Sequence, residues 1–124
     1  YYGIYYLIIM MSFAGITSAD ASRQLYSGSR NGYNYVGRGE ITGYIGKASF
    51  QATENPKLPH NPPSDCRSEA WVLVYDNSGY VGAANSRGTT SAYATYMSNN
   101  RINKIGCSFS FMGQKSSTYV LYNN

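Results

Sequence analysis

Residues 89–101, TTSAYATYMSNNR, decide the fold, because their period separates two architectures. Ala92, Tyr93, Tyr96 and Met97 fall at i, i+1, i+4 and i+5, one stripe of a short helix. Thr89, Thr90 or Ser91 can cap its start, and Asn99-Asn100 can end it. A helix is expected here, with strands on both sides.

Working outward, Lys104–Phe111 (KIGCSFSF) alternates, with Ile105, Cys107, Phe109 and Phe111 inward and Lys104, Gly106, Ser108 and Ser110 outward. Met112–Ser117 reads as a turn and Thr118–Asn123 as the last strand. Upstream, Glu69–Asp76 (EAWVLVYD) is the strongest strand of the chain. Asn77-Ser78-Gly79 turns it into Tyr80–Ala84, making a hairpin. Further upstream, Glu40–Gly46 alternates, and the apolar parity changes from Lys47 to Thr53. One long strand bent or bulged at Gly46 would produce that change.

A bent strand, a hairpin, a helix and two strands is the element order of a small OB-like five-stranded Greek-key barrel, a mainly β (α+β) fold with its helix between strands 3 and 4. The alternatives are another small α+β roll, or a β-sandwich whose extra strands lie in residues 22–39. On the leading reading, residues 40–124 form the barrel domain. Residues 22–39, polar and glycine-spotted with SGSRNG at 27–32, form an N-terminal arm. Glu54–Arg67 holds all 4 prolines and reads as an irregular connector.

Residues 1–21 carry no charge before Asp20, and Ile4–Ile16 is mainly apolar. Small residues follow in Thr17-Ser18-Ala19-Asp20-Ala21. This predicts a secretory signal peptide cut after Ala21 or Ala19, and hence a secreted or periplasmic protein that leaves the membrane. A retained anchor and a buried helix are the other readings; the run is short for a membrane span of about 20 residues. With no basic n-region and no initiating Met, the true start is expected to precede Tyr1.

The 2 cysteines, Cys66 and Cys107, then share an oxidising compartment, where an isolated pair most simply forms one disulfide. Such a loop would stabilise the domain by about 4 kcal/mol on chain-entropy grounds. Charge is sparse: 10 Lys and Arg against 6 Asp and Glu, for a net charge of +4, with no basic run. A nucleic-acid stripe would need clustering, so a nucleic-acid-binding OB domain using aromatic stacking is the runner-up. An envelope-anchored structural or inhibitory protein is a third class. Tyr, Ser, Gly and Asn fill the polar positions, as on extracellular binding faces.

No catalytic motif stands out. His60 is the only imidazole, sits among prolines, and has no diagnostic acid partner. A zinc site needs three or four ligands drawn from His, Cys and carboxylates, and with one His and an expected disulfide neither metal nor cofactor is expected. The candidate for binding is the strand at 69–76. Ala70, Val72 and Val74 share one face; Trp71, Leu73 and Tyr75 share the other. Only one face can enter a small core. The other is covered by the arm or helix, is covered by a second subunit, or serves as an aromatic platform. Trp71, Tyr75 and Tyr80, with Asn77, Ser78 and Asn85 nearby, supply rings for sugar C–H faces and short polar groups for hydroxyls. A cell-surface glycan is the expected partner and no enzyme activity is expected.

NPPSDC (61–66), the Trp-containing strand, the hairpin, TSAYATYM (90–97) and IGC (105–107) resemble a class of small secreted bacterial proteins. These are similar in turn to the B subunits of pertussis-like and subtilase-cytotoxin-like toxins. The resemblance covers residues 38–124. It implies an OB-fold, assembly as a homo-oligomer (a ring of five) and binding of sialylated or other host glycans. No sugar-contacting residue carries over, and the polar SNNR at 98–101 departs from the helix of such subunits.

Overall fold

The computed structural model describes residues 20–57 and 67–123. The architecture is mainly β. Strands β1 (Ala21–Arg30), β2 (Tyr33–Thr42), β3 (Ile45–Glu54), β4 (Ser68–Asp76) and β5 (Gly79–Gly88) are followed by β6 (Ser91–Met97), β7 (Lys104–Phe111), β8 (Gln114–Lys115) and β9 (Tyr119–Tyr122). They form two antiparallel sheets. The first has the order β1-β2-β3-β6; the second has the order β5-β4-β7, with β8 and β9 both on the free side of β7. β6 leaves the hairpin that precedes it to join the opposite sheet, and β7 returns to lie beside β4.

The expected helix is therefore a strand, and the OB-like barrel gives way to the sandwich whose additional strands lie upstream. In β6, Ala92 and Ala94 face the core and Tyr93, Thr95 and Met97 face outward. The stripe that resembled a helix mixed residues from both faces. Seven residues of helix are marginal by themselves, whereas β6 gains a full ladder with β3 from Ile45–Met97 to Gln51–Ser91. Its β-branched and aromatic residues suit that pleated surface.

The arm expected at 22–39 is β1 and most of β2, which pair from Ala21–Ile41 to Arg30–Tyr33. Asn31 and Gly32 both take positive φ (49° and 85°), the two-residue hairpin turn that Asn-Gly favours. The parity change near Gly46 is a second hairpin, not a bend: Thr42 pairs with Ile45, and Gly43 takes a φ of 59° in the turn. Ile41 is buried while Ile45 faces outward.

The core lies between the sheets. Phe50, Phe109, Phe111, Ile41, Ile105, Val72 and Val74 are fully buried, with the Phe50 and Phe111 rings 5.6 Å apart. The alternation read in β4 and β7 holds: Ala70, Val72 and Val74, and Ile105, Cys107, Phe109 and Phe111, all point inward. Room for the phenylalanines comes from glycine on β2. A Cβ at Gly37 would stand 2.8 Å from the Phe109 ring, and one at Gly39 would stand 3.0 Å from the Cys107 Sγ.

Cys107 is a free, buried thiol, and no disulfide occurs among the described residues. Cys66 and His60 lie outside them, as does the whole apolar run Ile4–Ile16. Ser68 pairs with Phe111, whereas Cys107 pairs with Val72. The chain thus enters β4 four residues, or about 13 Å, from the level of Cys107. The sulfur itself faces Gly39 and lies 3.9 Å from the Lys47 carbonyl oxygen, inside the sandwich.

Candidate functional site

Because Ala70, Val72 and Val74 fill the core, pleat geometry sends Trp71, Leu73 and Tyr75 to the outer face of the second sheet, where each is half-buried. The arm does not cover this face, since residues 21–42 belong to the opposite sheet. Strand register sets the side chains in rows. Tyr80, Tyr75, Lys104 and Tyr122 form one row across β5, β4, β7 and β9. Ala83, Leu73, Gly106 and Val120 form the next, and Asn85, Trp71 and Ser108 a third.

The first row borders an open cleft of about 610 Å³ at the end of the sheet. Tyr80 and Tyr122 are exposed, at 60% and 63%. The Tyr75 ring meets Tyr80 edge-on, with centroids 5.7 Å apart. The Lys104 Nζ lies 4.8 Å from the Tyr75 centroid and 5.9 Å from that of Tyr122. The opposite wall is made of amides. Asn103 Nδ2 donates to Asn77 Oδ1 at 3.2 Å, and Asn123 Nδ2 donates to the Ile102 carbonyl at 2.9 Å. Their partner atoms, Asn103 Oδ1 and Asn123 Oδ1, accept no hydrogen bond.

Asp76 holds the hairpin that shapes the cleft. Its Oδ1 accepts from the Ser78 hydroxyl at 2.6 Å and from the Ser78 N–H at 2.8 Å, and its Oδ2 accepts from Asn100 Nδ2 at 3.0 Å. The Ser78 hydroxyl first, and then Asn100, hold its carboxyl below the usual carboxylate range. Asp76 is thus an ionised hairpin anchor whose oxygens are already engaged.

Of the residues singled out from sequence, Tyr75, Tyr80 and Asn77 line the cleft. Ser78 is turned to Asp76. Trp71 and Asn85 face each other in register on the same outer surface, about 13 Å along β4 from Tyr75. There the Lys115 Nζ lies 4.5 Å from the Trp71 ring centroid. Lys104, Tyr122, Asn103 and Asn123 were not anticipated at the site. Lys104 reads only as an outward position and Tyr122 only as part of the last strand, and nothing in the sequence says that β9 pairs with the first half of β7.

Among the described residues no cluster of three or more His, Cys, Asp or Glu side chains could hold a metal ion. No known protein family, curated protein or solved structure matches this chain.

Proposed function

We propose that this protein is a secreted, non-enzymatic saccharide-binding domain whose ligand sits in the cleft of Tyr75, Tyr80, Lys104 and Tyr122. Export rests on the apolar stretch before Thr17 and the small residues that follow it. The observation that carries the binding reading is the grouping on one exposed cleft of three tyrosines and a lysine, with side-chain amides along the opposite wall. Tyrosine offers flat, rigid contact area at low entropic cost, and amides and an ammonium match hydroxyls. Such a mix of apolar surface and a few convergent polar groups is the usual chemistry of a ligand cleft. A binding rather than hydrolytic role is supported by Asp76, the acid at the cleft, whose oxygens are bound to Ser78 and Asn100.

The glycan reading rests on the cleft; of the segments that resemble toxin B subunits, TSAYATYM (90–97) lies in β6 and is not a helix. The test is a glycan array probed with the wild-type protein and with the Tyr80→Ala/Tyr122→Ala double variant. Both side chains are exposed, so the variant keeps its core. Binding that the double variant loses supports the reading. Binding that it retains, or no binding to any glycan by the wild type, overturns it.

A further inference from the structure

The outer face of the second sheet has two places, not one, where an ammonium lies on an aromatic ring. Lys104 stands over Tyr75 at the cleft, and Lys115 stands over Trp71 at the other end of β4. The row between them is low on β4 and β5, where Leu73 is half-buried and Ala83 exposed; Gly106, next in that row, is buried beside the Thr118 and Leu73 side chains. The acids of this face are already taken. Glu69 pairs with Arg87 at 2.9 Å, and Asp76 is bound to Ser78 and Asn100. Neither Lys104 nor Lys115 has a carboxylate partner among the described residues. The face therefore presents two unneutralised cations, Lys104 on β7 and Lys115 on β8, each beside a ring of β4, with the apolar Leu73 and Ala83 between the two rings.

About 13 Å separates the two rows, farther than one sugar ring reaches. We infer that the ligand is a linear polysaccharide in which anionic and neutral sugars alternate, laid along β4 from the Tyr75–Tyr122 cleft to Trp71. Its carboxylates replace the ring as partner of Lys104 and of Lys115, and its uncharged rings cross the Leu73–Ala83 floor. The wide spacing of the two rings that the lysines flank suits sparse charge. A nucleic-acid strand carries a phosphate every ~3.4 Å of duplex axis, which two lysines do not match. This inference rests on the saccharide reading of the cleft and extends it to a second subsite.

The test is calorimetric titration with hyaluronan oligosaccharides, from tetrasaccharide to decasaccharide, in which charged and neutral sugars alternate. Chitin oligosaccharides of matched length serve as neutral controls, and oligothymidylate as the competing polymer. Affinity is expected to rise with length and then level off once the chain spans both subsites. Lys115→Gln, at an exposed position, and Trp71→Ala are expected to weaken the longest chain by about tenfold, the loss of one charge-assisted or stacking contact. Both should leave the tetrasaccharide unchanged. A flat length dependence, or long-chain affinity indifferent to Lys115→Gln and Trp71→Ala, removes the second subsite; the cleft reading then stands if Tyr80→Ala/Tyr122→Ala still abolishes binding. Chitin oligosaccharides binding as tightly as hyaluronan overturn the anionic ligand. Tighter binding of oligothymidylate replaces the polysaccharide with a nucleic acid.

Discussion

The Lys104 Nζ lies 4.8 Å from the centre of the Tyr75 ring, on adjacent strands of the second sheet and in direct register. Such a contact at a partly exposed site contributes about 0.5–1 kcal/mol. Its position matters more than its energy, because it places a mobile charge at the cleft between Tyr75 and Tyr122. Lys104→Met keeps the apolar stem over the ring and removes the charge. Chemical denaturation is expected to change by about 1 kcal/mol or less, while saccharide affinity measured by calorimetry falls clearly. A variant that unfolds early yet binds normally would assign Lys104 to stability alone.

The glycines of β2 make a second prediction. Gly37 faces the Phe109 ring and Gly39 faces the Cys107 Sγ, at 2.8 and 3.0 Å from the Cβ each lacks. Gly37→Ala should force a packed ring to move and cost about 1–3 kcal/mol. Gly43→Ala meets no neighbouring atom but occupies a φ of 59°, so its cost is backbone strain of about 1 kcal/mol. Urea midpoints for the two variants check the order. Equal, small losses would mean that the sheets are not in contact at Phe109.

Those same glycines explain what could and could not be seen in the sequence. β4 and β7 were legible because Ala70, Val72 and Val74, and Ile105, Cys107, Phe109 and Phe111, repeat every second residue. β2 was not, because two of its core positions are Gly37 and Gly39 and leave no apolar period. The Asn31-Gly32 turn was present as a hairpin signal but stood between strands too polar to be noticed. β6 misled because its inward residues are the small Ala92 and Ala94, so its larger side chains gave a helical spacing. Half of the cleft was legible from one hairpin, in Tyr75, Asn77 and Tyr80. The rest depends on β9 finding β7, a long-range pairing that no local pattern encodes.

Burial pushes the Cys107 thiol from its ordinary value of 9.0 up to about 12. The folded state then holds this proton more tightly than the unfolded chain, so its contribution to stability is whole below about pH 9. That contribution falls as pH rises toward 12. Tyr26, raised to about 12 chiefly by its hydrogen bond with Tyr35, loses stability in an overlapping window. Cys107→Ala should make the alkaline fall in stability shallower, even though the smaller side chain lowers stability at neutral pH. An unchanged alkaline slope would contradict the burial of the thiol.

The state of the sulfur has its own measurement. Iodoacetamide at pH 8 is expected to leave Cys107 unmodified in the folded protein and to modify it in denaturant without reductant, read by mass spectrometry. Modification only after reduction would establish the bond with Cys66.

Asp20 ties the first strand down. Its N–H donates to the Ile41 carbonyl at 2.7 Å, and its Oδ2 accepts from the Gly43 N–H at 2.7 Å and from Arg101 at 3.2 Å. Of the two processing positions suggested by the sequence, cleavage after Ala19 keeps these bonds and cleavage after Ala21 discards them. On the proposed export reading, the mature chain is expected to begin at Asp20. A chain starting at Ser22 should be less stable by about 1 kcal/mol, the scale of a few exposed contacts. N-terminal sequencing and thermal melts check both statements; a natural start at Ser22 would contradict the first.

The most direct test of saccharide binding at the cleft is a two-dimensional NMR titration of the labelled protein with the saccharide best retained on the array. Shifts confined to Tyr75, Asn77, Tyr80, Lys104 and Tyr122 and their neighbours on the second sheet are predicted. Shifts centred instead on the outer face of the first sheet, around Tyr93 and Met97, would contradict it.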